Sequence, residues 1–122
     1  PQFTVFSAQA LRDAKLVELN TDQDAIIAAK PDHNHPVLLT GRRLYYGYEG
    51  TLWSHGVDEN DRQQRKQINE SLAQIAGCTT NTSYQVCPTH IYFSSLEYRM
   101  WNRSDLQHGF KATNVPFLYR VE

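Results

Sequence analysis

The run Ser7-Ala-Gln-Ala-Leu-Arg-Asp-Ala-Lys-Leu-Val-Glu-Leu-Asn20, followed by Thr21-Asp-Gln-Asp24 and Ala25-Ile-Ile-Ala-Ala29, sets the architecture. Ser7 suits a helix N-cap, because a short hydroxyl side chain accepts from the orphan N–H groups of the first turn. Behind it Ala10, Leu11, Ala14 and Val17 recur at helical spacing and predict an apolar stripe. Residues 21–24 carry the short polar side chains that bond their own backbone in turns. Residues 25–29 form an apolar run of strand length, ended by Lys30-Pro31. Helix, turn and buried strand make an αβ unit, the repeating unit of α/β folds.

The rest of the chain extends this pattern. Residues 44–46 and 90–94 read as further strands, and 110–112 and 115–121 as a closing pair around Thr113-Asn114, with Pro116 pointing to an edge position. Asp58, Glu59 and Asp61 suit the positive end of a helix dipole. The helix they open is expected to run to about Ala76, burying Ile68, Leu72 and Ile75, with Gly77 as its C-cap. A shorter helix is expected over 96–101. The expectation is one α/β domain over 1–122, in two or three layers, with a mixed sheet of four to five strands and two to three helices.

A chain of 122 residues buries roughly two-thirds of its unfolded surface, enough for a real core. Twelve Lys and Arg against thirteen Asp and Glu give a formal charge of -1, which removes the electrostatic case for a nucleic-acid binder. No window approaches the roughly 20 apolar residues of a membrane span, and the N-terminus lacks a signal-peptide core.

Cys78 and Cys87 bracket a polar stretch with eight residues between them. The spacing fits no zinc or redox motif. A structural disulfide is the expected state, worth about 2.5–3 kcal/mol by chain entropy, with two free thiols as the alternative. A bridge would place the domain outside the cytosol. Three N-x-[ST] patterns, at Asn69, Asn81 and Asn102, point the same way. The absent signal peptide is then expected to mean a mature form or a piece of something larger.

Residues 32–58 hold three of the five histidines, with Trp53, three tyrosines and four glycines. Polar aromatics and glycines at this density build a surface site more readily than a core. The ligand-binding candidates are His33, Asn34, His35, Arg42, Arg43, Tyr48, Trp53 and His55, expected as one contiguous surface at the carboxyl end of the sheet, where α/β folds bind ligands. Arginines and histidines pair with oxyanions and aromatic faces cover sugar rings. The competing expectation is an ordered loop cluster, with the histidines bonding backbone. His33-x-His35 with His55 lacks the carboxylate spacing of a metal site, so no metal and no cofactor are expected. No G-x-S-x-G elbow is present, Gly47-x-x-Gly50 is too short to cradle phosphate, and adjacent Ser54-His55 makes no dyad.

The ordered set His33-Asn-His-Pro-Val37, Gly41-Arg-Arg43, Gly47-Tyr-x-Gly50 and Leu52-Trp-Ser-His-Gly56 resembles the soluble C-terminal segment of polytopic membrane proteins of glycosyltransferase-C type, relatives of the lipid-linked-sugar mannosyltransferases. Glu97-Tyr-Arg99 and residues 115–121 fit the turn and the last strand of such tails. The resemblance implies an extracytoplasmic domain, a polyprenyl-phosphate sugar or glycan as ligand, and the transmembrane portion of the same parent chain as partner. The family's catalytic acid lies in that membrane portion, so no catalytic residue carries over. Two other readings compete: a free-standing secreted carbohydrate-binding module using Tyr46, Tyr48 and Trp53, and a small hydrolase using His33, His35 or His55.

Overall fold

The computed structural model describes residues 6–32, 34–47, 59–80 and 86–122. Helix α1 (Ala8–Leu19) leads through the 21–24 turn into strand β1 (Ile26–Ala28), and a 3-10 turn (Pro36–Leu39) leads to β2 (Arg43–Leu44). Helices α2 (Glu59–Asn69) and α3 (Leu72–Gly77) follow, then β3 (His90–Tyr92), two 3-10 turns (Ser95–Glu97 and Arg103–Gln107), β4 (Phe110–Ala112) and β5 (Leu118–Val121). The fold is α/β with a mixed five-stranded sheet in the order β2-β1-β3-β5-β4. β1 is parallel to β2 and β3, while β5 is antiparallel to β3 and β4.

Side-chain alternation sorts the core into two faces. Ile27 and Ala29 of the β1 segment, Tyr92 and Leu118 pack with Val17 of α1 and Val37 of the 3-10 turn. Ala28, Ile91, Phe93 and Phe110 face the other way, onto Ile68, Leu72 and Ile75 of α2 and α3. The sheet is thus covered on both sides of its centre, which is why β1 and most of β3 read as apolar, while the edge strand β2 carries the exposed Arg43.

Local chemistry sets the element ends. The Ala10 N–H donates to Ser7 Oγ at 3.0 Å and caps α1. The stripe on α1 is narrower than its spacing suggests: Ala14 and Val17 are buried, but Leu11 is 53% exposed. The helix expected from 58 to 76 is two helices, because Ser71 takes an extended conformation and caps α3 through Gln74 N–H. Ile68, Leu72 and Ile75 are all buried, on either side of that break. Gly77 belongs to α3 and is followed by a 3-10 turn over Cys78–Thr80, so it is no C-cap. Nor is the last strand at an edge. β5 lies between β3 and β4, and Pro116 precedes it in the turn where Thr113 Oγ1 bonds the Leu118 carbonyl at 2.7 Å. The helix expected over 96–101 is reduced to the 95–97 turn.

Cys78 and Cys87 form a disulfide with Cα atoms 5.8 Å apart. Cys78 is fully buried in the α3-side core, so the bridge ties the chain entering β3 to the end of α3.

Candidate functional site

β1 and β3 are parallel neighbours, and the chain beyond their carboxyl ends goes to opposite faces of the sheet. The segment after β1 turns toward α1, placing Val37 in that face's core. The segment after β3 returns on the α3 side, where Trp101 is buried. Such a switch point opens the crevice that open α/β sheets use for ligands.

Here the crevice is closed by a buried polar pair. His35 Nε2 and Glu97 Oε2 are 2.5 Å apart, and both side chains have no solvent exposure. His35 Nδ1 accepts from the Val37 N–H at 2.9 Å. That contact assigns the ring proton to Nε2, facing the carboxylate. Glu97 Oε2 also accepts from the Lys30 N–H at 2.9 Å, and Oε1 accepts from both the N–H and the hydroxyl of Ser94. Four donors converge on one carboxylate, as burial of a charge requires. The edge of His35 meets the Tyr92 ring with centroids 4.8 Å apart. Burial, together with the Asp13 and Glu97 charges, pushes the Tyr92 hydroxyl far above its usual range.

The remaining candidates are dispersed. Arg42 precedes β2, at the amino end of the parallel strands, where its Nε donates to Thr21 Oγ1 and its Nη2 to the Glu18 and Thr21 carbonyls. It clamps the last turn of α1, whose carbonyls lack helical partners. Arg43 is exposed within β2, and Asn34 is exposed with its N–H on Asp32 Oδ1. His35 therefore lies buried at one end of the sheet and the arginines at the other. The expected single surface does not form among the described candidates, because β1 and β2 are parallel and the intervening turn carries the chain back to the starting end. His33, Tyr48, Trp53 and His55 lie outside the described residues. Tyr46, a platform in the carbohydrate-module reading, is buried in the α3-side core.

Chemically, the described part of this cluster holds a loop rather than a substrate. Both His35 nitrogens are committed, and Glu97 spends its lone pairs on the backbone and Ser94. Among the described residues no three His, Cys, Asp or Glu side chains converge to hold a metal. Sequence reasoning missed the Glu97 hub as a buried group. Its signal was Ser94-Ser-Leu-Glu97, the S-x-x-E spacing of a capping box, which the structure contains.

At the amino end, Asp22, Asp24, Thr89, His90 and Arg120 line a cleft of about 530 Å³. His90 Nδ1 lies 2.8 Å from Thr89 Oγ1. Burial lowers the His90 pKa, the Arg120 charge lowers it further, and Asp22 pulls the other way. Two of the three sequons sit on described residues. Asn69 is buried with its amide on the Ala29 carbonyl, which seals it from a glycan, while Asn102 is exposed.

The chain matches no protein-family model, no curated protein and no solved structure.

Proposed function

We propose that the chain is a non-catalytic extracytoplasmic domain of a membrane glycosyltransferase-like protein, in which it helps form or cover the site for a lipid-linked sugar or its acceptor. The observation that carries the location is the Cys78–Cys87 bridge, since disulfides persist in oxidising compartments. The likeness of residues 33–56 to glycosyltransferase-C tails suggests the parent, whose transmembrane portion is then the first partner. The commitment of His35 and Glu97 to structural hydrogen bonds supports a role without catalysis. No helix among the described residues is long and apolar enough to cross a membrane.

The complete reading frame of the gene tests this. The expected result is several apolar segments of about 20 residues encoded in the same frame. A frame that encodes a secretion signal followed directly by this domain would overturn the reading in favour of a secreted carbohydrate-binding module. Turnover of ester, phosphate or glycoside substrates by the purified domain, abolished by His55→Ala, would overturn it in favour of a hydrolase.

A further inference from the structure

Beyond the carboxyl end of β3 the chain folds back in the turn 98–103 and leaves a groove of about 550 Å³ on the α3 side of the sheet. That volume lies within the range of small-molecule sites. Its floor is fixed. Trp101 is buried, its Nε1–H donates to the Asn69 carbonyl at 2.8 Å, and its backbone N–H donates to the Glu97 carbonyl at 2.9 Å. Phe93 lies under both walls, 5.8 Å from the Trp101 ring and 5.6 Å from the Tyr98 ring. One face of Tyr98 is thus backed by the core, while the residue remains 57% exposed.

Two cations line the same groove. Arg103 Nη1 donates to the Tyr98 hydroxyl at 3.2 Å, which aligns the guanidinium with the ring. Arg99 lines the groove as well. Among the described residues neither arginine has a carboxylate within ion-pair distance. Glu97, two positions from Arg99, is buried and turned toward His35 and Lys30. Asp105, two positions from Arg103, is exposed in the 3-10 turn and pairs with neither arginine. The chain as a whole carries -1, so two guanidinium groups with no ion-pair partner among the described residues, beside an exposed aromatic face, form a local departure from its charge balance. The amino-end cleft offers no such departure, because Asp22 and Asp24 offset Arg120 there.

We propose that this groove binds an anionic saccharide, with the pyranose ring against Tyr98 and the sugar's oxyanion on Arg99 and Arg103. Guanidinium forks match the two oxygens of a carboxylate or a phosphate, and a rigid aromatic face receives the apolar side of the sugar. The site deepens the proposed function, on which the saccharide half of the ligand rests; the charged half rests on the arginines alone. It also moves the point of contact from residues 33–55 to residues 98–103.

Amide-resolved NMR titration of the intact domain tests the site with four probes: glucuronic acid, mannose 1-phosphate, glucose and inorganic phosphate. The expected result is saturable shifts confined to residues 93 and 98–103 with one or both anionic sugars, and weaker binding of glucose and inorganic phosphate. Glucuronic acid alone binding identifies a carboxylate source, and mannose 1-phosphate alone a phosphate source. Arg99→Ala and Arg103→Ala, both exposed and safe for folding, should each weaken binding by about tenfold, the scale of one lost charge-assisted hydrogen bond. Tyr98→Leu, which keeps the packing on Phe93 but removes the hydroxyl that Arg103 bonds, should weaken the anionic sugars more than inorganic phosphate. Equal binding of inorganic phosphate and mannose 1-phosphate would overturn the sugar contact. Saturable shifts elsewhere, unmoved by the arginine variants, would overturn the site and leave the proposed function standing. Flat titrations with all four probes would overturn the site as well, while the reading frame judges the parent independently.

Discussion

Glu97 gathers the Lys30 and Ser94 N–H groups, the Ser94 hydroxyl and His35 Nε2 onto one fully buried carboxylate. Removing it strands the buried His35 Nε2–H and leaves three part-buried donors without their acceptor. Glu97→Ala should therefore cost about 3–5 kcal/mol, the scale of breaking a buried pair by deleting one partner. Thermal melts should show a midpoint lowered by on the order of 10 °C, and a change of about 2 °C or less would show that the hub is not what holds residues 30 and 35 to the loop after β3. His90 gives a pH prediction of definite sign. Its folded pKa is below its ordinary value because of burial and Arg120. The unfolded chain then binds the proton more readily, so stability is lost as pH falls below about 6.5 and nothing is lost above it. His90→Gln should flatten that part of the melting-temperature profile; an unchanged slope would contradict the assignment. At this scale the sequence is a poor guide. His35 read as a surface ligand because it stands in a polar loop bracketed by prolines. Its burial depends on a carboxylate 62 positions away, and no local pattern shows such a partner.

Elements were more legible where a hydroxyl cap or an apolar spacing marks them. Ser7 caps α1 as its position suggests, and the apolar runs at 25–29 and 90–94 contain β1 and β3. One departure falls where the backbone changes course without Gly or Pro. The α2–α3 break falls at Glu70-Ser71, inside a spacing of apolar residues that continues across it. Pro116 misled because it lies just outside β5, whose interior position is set by pairing with β3 and β4. Gly109 marks a junction that composition hides. It has φ +92°, and a Cβ added there would lie 2.6 Å from Ala76 Cβ on α3. Gly109→Ala should destabilise the domain by about 1–3 kcal/mol through backbone strain, with further cost from the clash as β4 is pushed from α3. Urea unfolding measures it, and a loss under about 0.5 kcal/mol would mean that the approach is relieved cheaply.

The whole molecule is a sheet covered on both faces, with its switch point plugged by His35 and Glu97 and its α3 side stapled by Cys78–Cys87. The class of fold was legible because helix, turn and buried strand recur. Strand order was not, since it depends on which side each crossover takes. Among the described candidates the expected surface does not form for the same reason: residues 35 and 42 are close in sequence but flank a crossover between parallel strands. Reduction of the bridge should lower stability by about 2.5–3 kcal/mol, read as a drop in melting temperature that the Cys78→Ala/Cys87→Ala variant reproduces and that reductant does not deepen. An unchanged midpoint on full reduction would contradict the staple.

The central claim, an extracytoplasmic domain carried by a membrane protein, is tested most directly on the natural protein. Intact cells are treated with a thiol-alkylating reagent, fractionated, and the fragment carrying residues 78 and 87 is examined by mass spectrometry without reduction. The account predicts a Cys78–Cys87 cross-linked fragment recovered from the membrane fraction as part of a longer chain. Two alkylated thiols on a protein confined to the soluble fraction would contradict it.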